Sequence, residues 1–285
     1  MGATVQSATV PPHVELVAGR AHVALRGLVR GYFGYRERME VPVRRRELPG
    51  GRAVLVVGLG PALGVEDSGR AAQRLHSFVG GLHLAPAFTE HDGEMAGVEV
   101  ELTPLGARAL LGIPMSELTG ITVDLAELWG TPAVTELAER AATARSWSER
   151  FAVVEQAVRR RVERAALPAP ELQWAYARLR DRPVGTIARE LGWSERRLAR
   201  AFRDQVGLPP KATARLLRFE RAVAALARGS GLAEAAFEAG YADQPHFTRE
   251  VRELTGTTPA RLVAERFQGD ALLAPAAAQL AAAAA

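Results

Sequence analysis

The chain of 285 residues contains no cysteine. That removes disulfide frameworks, thiolate zinc sites, cysteine nucleophiles and thiol redox chemistry, and it suits a reducing compartment. Lysine is almost missing too: Lys211 stands alone, so 35 of the 36 basic residues are arginine. Long apolar runs are lacking. The longest inside the folding region, Ala53–Leu59, falls far short of the roughly 18–20 residues of a membrane span. The N-terminus has neither the basic start nor the apolar stretch of a secretory signal, so a cytoplasmic location is expected. His13, His22, His76, His83 and His91 form no His-x-His pair and no His-Glu-x-x-His spacing, which argues against a metal site. Gly58-Leu59-Gly60 lacks the third glycine of a dinucleotide fingerprint, and no Gly-x-Ser-x-Gly elbow or phosphate loop is present. No cofactor and no catalytic residues are expected.

What remains has a globular composition, with 48% apolar and 24% charged residues, and a length that fits two domains. The net charge of +4 is small but unevenly placed. Residues 1–170 carry 19 basic and 19 acidic groups, whereas residues 171–267 carry 17 and 12. Within Arg189–Arg228 the balance is ten against four. A localised basic surface of this kind is the electrostatic footprint of a nucleic-acid partner.

The first third has strand texture. Ala53–Leu59 is a short apolar run bounded by Pro49-Gly50-Gly51 and Gly60-Pro61, the pattern of a buried strand. Val98, Val100 and Leu102 alternate with Glu99 and Glu101, which predicts a half-buried strand. Gly80-Gly81 and His91-Asp92-Gly93 read as turns, and the whole as a small sheet or barrel. Helical signals follow. Thr103-Pro104 and Thr131-Pro132 each read as an N-cap with proline at the first helical position. Ser146-Trp147-Ser148-Glu149 is a capping box. Beyond it Trp147, Phe151, Val154, Val158 and Val162 fall on one helical face, with Arg159-Arg160-Arg161 expected on the wetter side. Leu167-Pro168-Ala169-Pro170 breaks the helix and marks the expected domain boundary.

From Glu171 to Phe267 the pattern is helical throughout, and it repeats. Val184, Ala188, Gly192 and Trp193 match Leu232, Ala236, Gly240 and Tyr241. Leu198, Arg200, Phe202, Gly207 and Pro210 match Phe247, Arg249, Val251, Gly256 and Pro259, one residue further on. Each copy reads helix, glycine turn, helix, the unit whose second helix enters the DNA major groove. The units span about 184–206 and 232–255, with a linker helix over about 211–228. Arg196, Arg197, Arg200 and Arg203 lie off the Leu198/Phe202 stripe, and Gln244, His246 and Arg249 lie off the Phe247/Val251 stripe. Arginine reads guanine bidentately and also pairs with phosphate. Lys211 and Arg215 add positive charge to the linker.

These segments resemble the AraC/XylS family of transcription regulators. The likeness is carried by Ile187-Ala188-Arg189-Glu190-Leu191-Gly192-Trp193-Ser194, Leu198-Ala199-Arg200-Ala201-Phe202, Gly240-Tyr241-Ala242-Asp243-Gln244-Pro245-His246-Phe247-Thr248-Arg249 and Gly256-Thr257-Thr258-Pro259-Ala260. The resemblance implies a seven-helix DNA-binding domain. It puts base readers at Arg196, Ala199 and Arg200, and at Gln244, Pro245, His246 and Arg249. Three positions depart from the pattern: Ala199 can touch only a thymine methyl, Pro245 replaces a small polar residue, and Val251 replaces an aromatic. Arg46-Glu47-Leu48-Pro49-Gly50-Gly51, Phe78-Val79-Gly80-Gly81 and Leu102-Thr103-Pro104-Leu105-Gly106-Ala107 resemble the sensor half of some members. Such halves sense a small molecule or mediate dimerisation. Glu47 is equally a pocket residue or a surface carboxylate beside a turn.

The expectation is therefore an α+β chain. A β-containing N-terminal domain over 1–165, ending in helices, is followed by an all-α domain over 166–267 with two helix-turn-helix units, and by an alanine-rich tail over 268–285. The expected partners are double-stranded DNA, RNA polymerase, a small-molecule effector and a second copy of the chain, with no membrane involved. A ligand-independent regulator, whose N-terminal domain only dimerises or binds a protein, stays open.

Overall fold

The structure, a computed structural model, describes residues 6–10 and 14–265; the expected tail over 268–285 and His13 lie outside them. The N-terminal half is built on two antiparallel sheets. Strands β1 (Gln6–Val10), β2 (Val14–Gly19), β3 (Val29–Arg38), β5 (Ala53–Gly58), β8 (Phe78–Gly80), β10 (Glu94–Leu102) and β11 (Thr122–Asp124) form a seven-stranded sheet in the order β1-β2-β3-β10-β5-β8-β11. Strands β4 (Val43–Glu47), β6 (Leu63–Glu66), β7 (Gln73–Leu75) and β9 (Ala87–His91) form a second, in the order β4-β9-β6-β7.

The larger sheet is covered on both faces. One face carries Tyr32, Leu55, Val57, Val98, Val100 and Leu102, packed on helices α1 (Pro104–Leu111), α3 (Thr131–Thr143) and α4 (Trp147–Val162), with the short α2 (Leu125–Trp129) leading into α3. The other carries Leu16, Tyr35, Val56, Phe78 and Met95, gathered with Leu63, Val65 and Leu75 of the second sheet. Burial on two faces is why β5 reads as an unbroken apolar run. It also corrects one expectation. The polar side of Val98–Leu102 does not face solvent: the second sheet covers it, and Glu101 is only 2% exposed.

Helix starts follow their local chemistry. Thr103 accepts the Gly106 amide hydrogen at 3.0 Å, and Ser146 accepts that of Glu149 at 3.2 Å while Glu149 takes the Arg145 N–H at 2.7 Å. Thr131 is not an N-cap as expected. Gly130, at φ 82°, holds that place, and Thr131 begins the helix. The Arg159–Arg161 run is not simply solvated, because the Arg161 guanidinium lies 3.8 Å from the Trp129 ring centroid.

The C-terminal half is helical: α5 (Pro170–Arg178), α6 (Val184–Glu190), α7 (Glu195–Val206), α8 (Pro210–Ala227), α9 (Leu232–Ala239), α10 (Gln244–Thr255) and α11 (Pro259–Val263). Leu198, Phe202, Val206, Leu216, Phe219, Phe247, Val251 and Leu254 fill its core. No helix among the described residues is long and apolar enough to cross a membrane.

Candidate nucleic-acid interface and interior cavity

The two halves of the repeat fold alike. Gly192 at φ 65° and Gly240 at φ 83° turn the chain between α6 and α7 and between α9 and α10, a conformation that costs other residues roughly 1–2 kcal/mol. Ser194 then accepts the Arg197 amide hydrogen at 3.2 Å, and Asp243 accepts that of His246 at 2.6 Å, so both second helices start capped. Pro245 sits in the first turn of α10, where the amide hydrogen it lacks has no intrahelical partner to lose. The cap makes a measurable contribution: Ser194→Ala is expected to cost about 1 kcal/mol, seen as a lower urea midpoint with an unchanged slope.

Arg196, Arg200 and Arg203 follow one another at helical spacing along α7, all exposed. Pro245 and Arg249 do the same on α10, and Arg252 continues that row; no sequence signal marked Arg252 beyond its i+3 spacing from Arg249. Among the described residues, the side chains of Arg196, Arg200, Arg203, Lys211, Gln244 and Arg249 make no hydrogen bond or ion pair. The other candidates are engaged within the fold. Arg197 lies over the Trp193 ring, 4.2 Å from its centroid. His246 meets Tyr241 edge-on at 5.2 Å. Arg215 pairs with Glu250 at 3.1 Å and also with Glu253. Tyr241 in turn donates to Glu250 at 2.7 Å. Ala199 is half-buried.

The N-terminal half holds a cavity of about 200 Å³ between its two sheets. Leu16, Phe33, Val54, Val65, Phe78 and Met95 supply apolar wall, and Arg45, Glu47, Arg52, His83, Glu99 and Glu101 supply the polar part. Glu47 is therefore a cavity residue, and it accepts a hydrogen bond from the Thr89 hydroxyl at 2.9 Å. Arg45 is held by a buried carboxylate, Glu37, at 2.6 and 2.7 Å, and His91 approaches the same carboxylate at 2.9 Å. Burial alone would raise the Glu37 pKa; the hydrogen bonds from His91 and Arg45 outweigh it and hold the carboxyl below its ordinary value.

Asp67 follows the same logic. Burial pushes its pKa up, but His83 at 3.0 Å, the Thr122 amide at 2.6 Å and the Thr122 hydroxyl at 2.8 Å more than offset that and lower it. A depressed carboxyl pKa contributes stability that is fully present above the unfolded value, about 3.9, and is lost as pH falls through the folded one. The stability advantage of the wild-type chain over Asp67→Asn is thus expected to shrink below about pH 4, measured as urea midpoints across a pH series. No group of three His, Asp or Glu among the described residues is placed to hold a metal ion.

Sequence reasoning did not find the contacts that join the halves. Thr119 donates to the Gly207 carbonyl at 2.9 Å, beneath the C-terminus of α7. Arg46 donates to the Thr255 carbonyl at 2.6 Å. Tyr176 donates to the Gly51 carbonyl at 2.9 Å. Arg52 lies between Glu101 and Glu220 of α8. None of these pairs is close in sequence, so no local pattern announces them.

Residues 187–265 match the family model of a helix-turn-helix domain. No curated protein matches the chain by sequence. Similar solved structures include ToxT from Vibrio cholerae, at 13% identity over 81% of this chain and 97% of that one with a TM-score of 0.47. An unsaturated fatty acid-bound form of ToxT from Vibrio cholerae has 11% identity, 90% and 97% coverage and a TM-score of 0.46. The AraC-like transcriptional activator CuxR has 15% identity, 82% and 90% coverage and a TM-score of 0.33. All three likenesses are remote. With the doubled helix-glycine-helix unit, its capped second helices and the matched family model together, residues 187–265 constitute a helix-turn-helix domain.

Proposed function

We propose that the chain regulates promoters by reading DNA sequence through two recognition helices, α7 and α10, and that a small molecule in the N-terminal cavity modulates that reading. In this scheme residues 1–165 sense and pair with a second copy, residues 166–267 bind DNA, and RNA polymerase is the downstream partner, in the cytoplasm. The observation that carries the DNA-reading part is the row of exposed arginines without internal partners at Arg196, Arg200 and Arg203 on α7 and Arg249 on α10. Arg200 and Arg249 occupy matching places in the two copies. Gln244 joins them as a base reader, with apolar contact from Ala199 and Pro245. Lys211 and Arg203 serve phosphate, while Arg197, Arg215 and His246 must first leave Trp193, Glu250 and Tyr241.

Helix α8 has 18 residues, about 27 Å of rise. That length suits two recognition helices set about one duplex turn, roughly 34 Å, apart on one DNA face. The test is selection of bound DNA from a random pool, followed by the salt dependence of binding to the selected sequence. Two half-motifs about one turn apart, with affinity falling steeply in salt, are the expected result. A pool that enriches no sequence would sink sequence-specific reading. The cavity favours sensing over the ligand-independent alternative. Its test is a thermal-shift screen against metabolite pools: a compound that raises Tm and changes operator affinity is expected, and a screen in which none does both leaves only the dimerising role.

A further inference from the structure

One largely buried run of charge connects the cavity to α8, the helix between the two recognition helices. Glu101 faces the cavity from the centre of the large sheet, its side chain 3% exposed, and its carboxylate lies 2.8 Å from Arg52 Nε. The approach is a charge contact rather than an aligned hydrogen bond, since Arg52 Nε has no hydrogen-bond acceptor. Arg52 Nη1 lies 3.6 Å from Glu220 Oε1, and Arg30 Nη1 lies 3.0 Å from the same oxygen. Glu220 belongs to α8, the helix between the two helix-turn-helix units. The backbone beside Arg52 is pressed against that helix. A Cβ on Gly51 would stand 2.6 Å from Leu217 Cδ2, and one on Gly50 would stand 2.9 Å from Glu220 Oε1.

These groups are nearly dry, with side-chain exposures of 17% for Arg52, 14% for Glu220 and 20% for Arg30. Charges in a low-dielectric setting feel one another strongly and are costly to strand. Arg52 is also a wall residue of the cavity. A change in what Glu101 meets on the cavity side therefore changes how firmly Arg52 is held, and with it the guanidinium field at Glu220.

We propose that Arg52 is a positioning residue for DNA binding: seated in the cavity wall between Glu101 and Glu220, it ties α8, and through α8 the two recognition helices, to the occupancy of the cavity. This rests on the reading that the cavity takes a ligand and that α7 and α10 bind DNA. A ligand group that competes with Arg52 for Glu101, or with Glu101 for Arg52, alters the hold on α8 without touching the helix-turn-helix domain.

The test needs no ligand. Glu101→Gln, Arg52→Gln and Glu220→Gln are each expected to change affinity for the selected operator at least threefold, all in one direction. The double variant Glu101→Gln/Glu220→Gln should change it no further than the larger single, because both cut the same chain. Arg52→Lys, which keeps the charge, should recover part of the affinity that Arg52→Gln changes. Glu136→Gln, on the exposed face of α3 and away from both the cavity and this run of charge, should leave affinity as it is. Amide hydrogen exchange along Leu216–Val223 should quicken in all three single Gln variants.

The proposal is overturned if Glu101→Gln leaves both operator affinity and exchange in α8 unchanged, or if its effect and that of Glu220→Gln multiply. Should a lone Gln unfold the N-terminal half, the pair Arg52→Gln/Glu101→Gln, which buries two amides in place of two charges, carries the same comparison. Failure of the DNA reading itself is distinguishable. It would show as Arg200→Ala and Arg249→Ala leaving operator binding intact, and exchange in α8 would then judge the Arg52 link alone.

Discussion

Arg200→Ala and Arg249→Ala are each expected to weaken binding to the selected operator by roughly 1–3 kcal/mol, the range of a bidentate base contact. The two side chains hold corresponding positions in the repeat, both exposed and both without internal partners. Neither substitution removes a contact that stabilises the fold, so Tm should stay within a degree or two of wild type. Each loss should be confined to one half-motif, and discrimination at the base pair it reads should relax. Arg203→Ala and Lys211→Ala should behave differently: they weaken binding to every sequence alike and lower the magnitude of the salt slope by about one each. Fluorescence anisotropy on the selected operator and on single-base variants, at several salt concentrations, separates the two patterns. If both alanine variants at 200 and 249 bind within twofold of wild type, direct reading by these arginines is wrong.

Phe202→Ala is expected to be the most damaging single truncation in the C-terminal half, costing about 3–5 kcal/mol. Phe202 is 0% exposed and packs in the core that Leu198, Val206, Leu216 and Phe219 share. Truncation both returns apolar surface to water and leaves a cavity that helices fixed by caps at Ser194 and turns at Gly192 and Gly207 collapse poorly to fill. At the equivalent place in the second unit stands Val251, also 0% exposed. It has less to lose, and Val251→Ala should cost about 2 kcal/mol. Urea unfolding of the three proteins gives both numbers. A Phe202→Ala cost below that of Val251→Ala would mean that the first unit's core repacks freely, contrary to the packing described.

The difference between these two positions shows how far the residues alone can be read. The repeat was visible because each copy satisfies its own local requirements. Apolar residues return at helical spacing, a glycine stands where φ must be positive, a Ser or Asp caps the next helix, and arginines fall on the face that the stripe leaves open. All of these act within one or two turns of chain, so they leave a pattern in consecutive residues. The same holds for β5, whose apolar run reports burial on two faces, and for α4, whose capping box and stripe mark its start and inner side.

The N-terminal site was far less legible. Glu99 and Glu101 alternate with valines as they would on a solvated sheet, and only the second sheet turns that polar side into a cavity wall. Glu47 gave no sign of which way it points until β4 was placed against β9. Thr131, followed by proline, reads as an N-cap in the sequence, and only the backbone shows Gly130 in that place.

What the sequence by itself determined is therefore the doubled helix-turn-helix unit, its basic outer face and the absence of cysteine chemistry, because periodicity, caps and residue inventory are local or additive. What only the tertiary structure decided is where buried charges find their partners. Arg30 and Glu220 meet across 190 residues, and Arg52 stands between the cavity and the linker helix. A charge taken out of water must be met by whichever opposite charge the packing brings to it, and packing between distant segments writes no periodicity into either one.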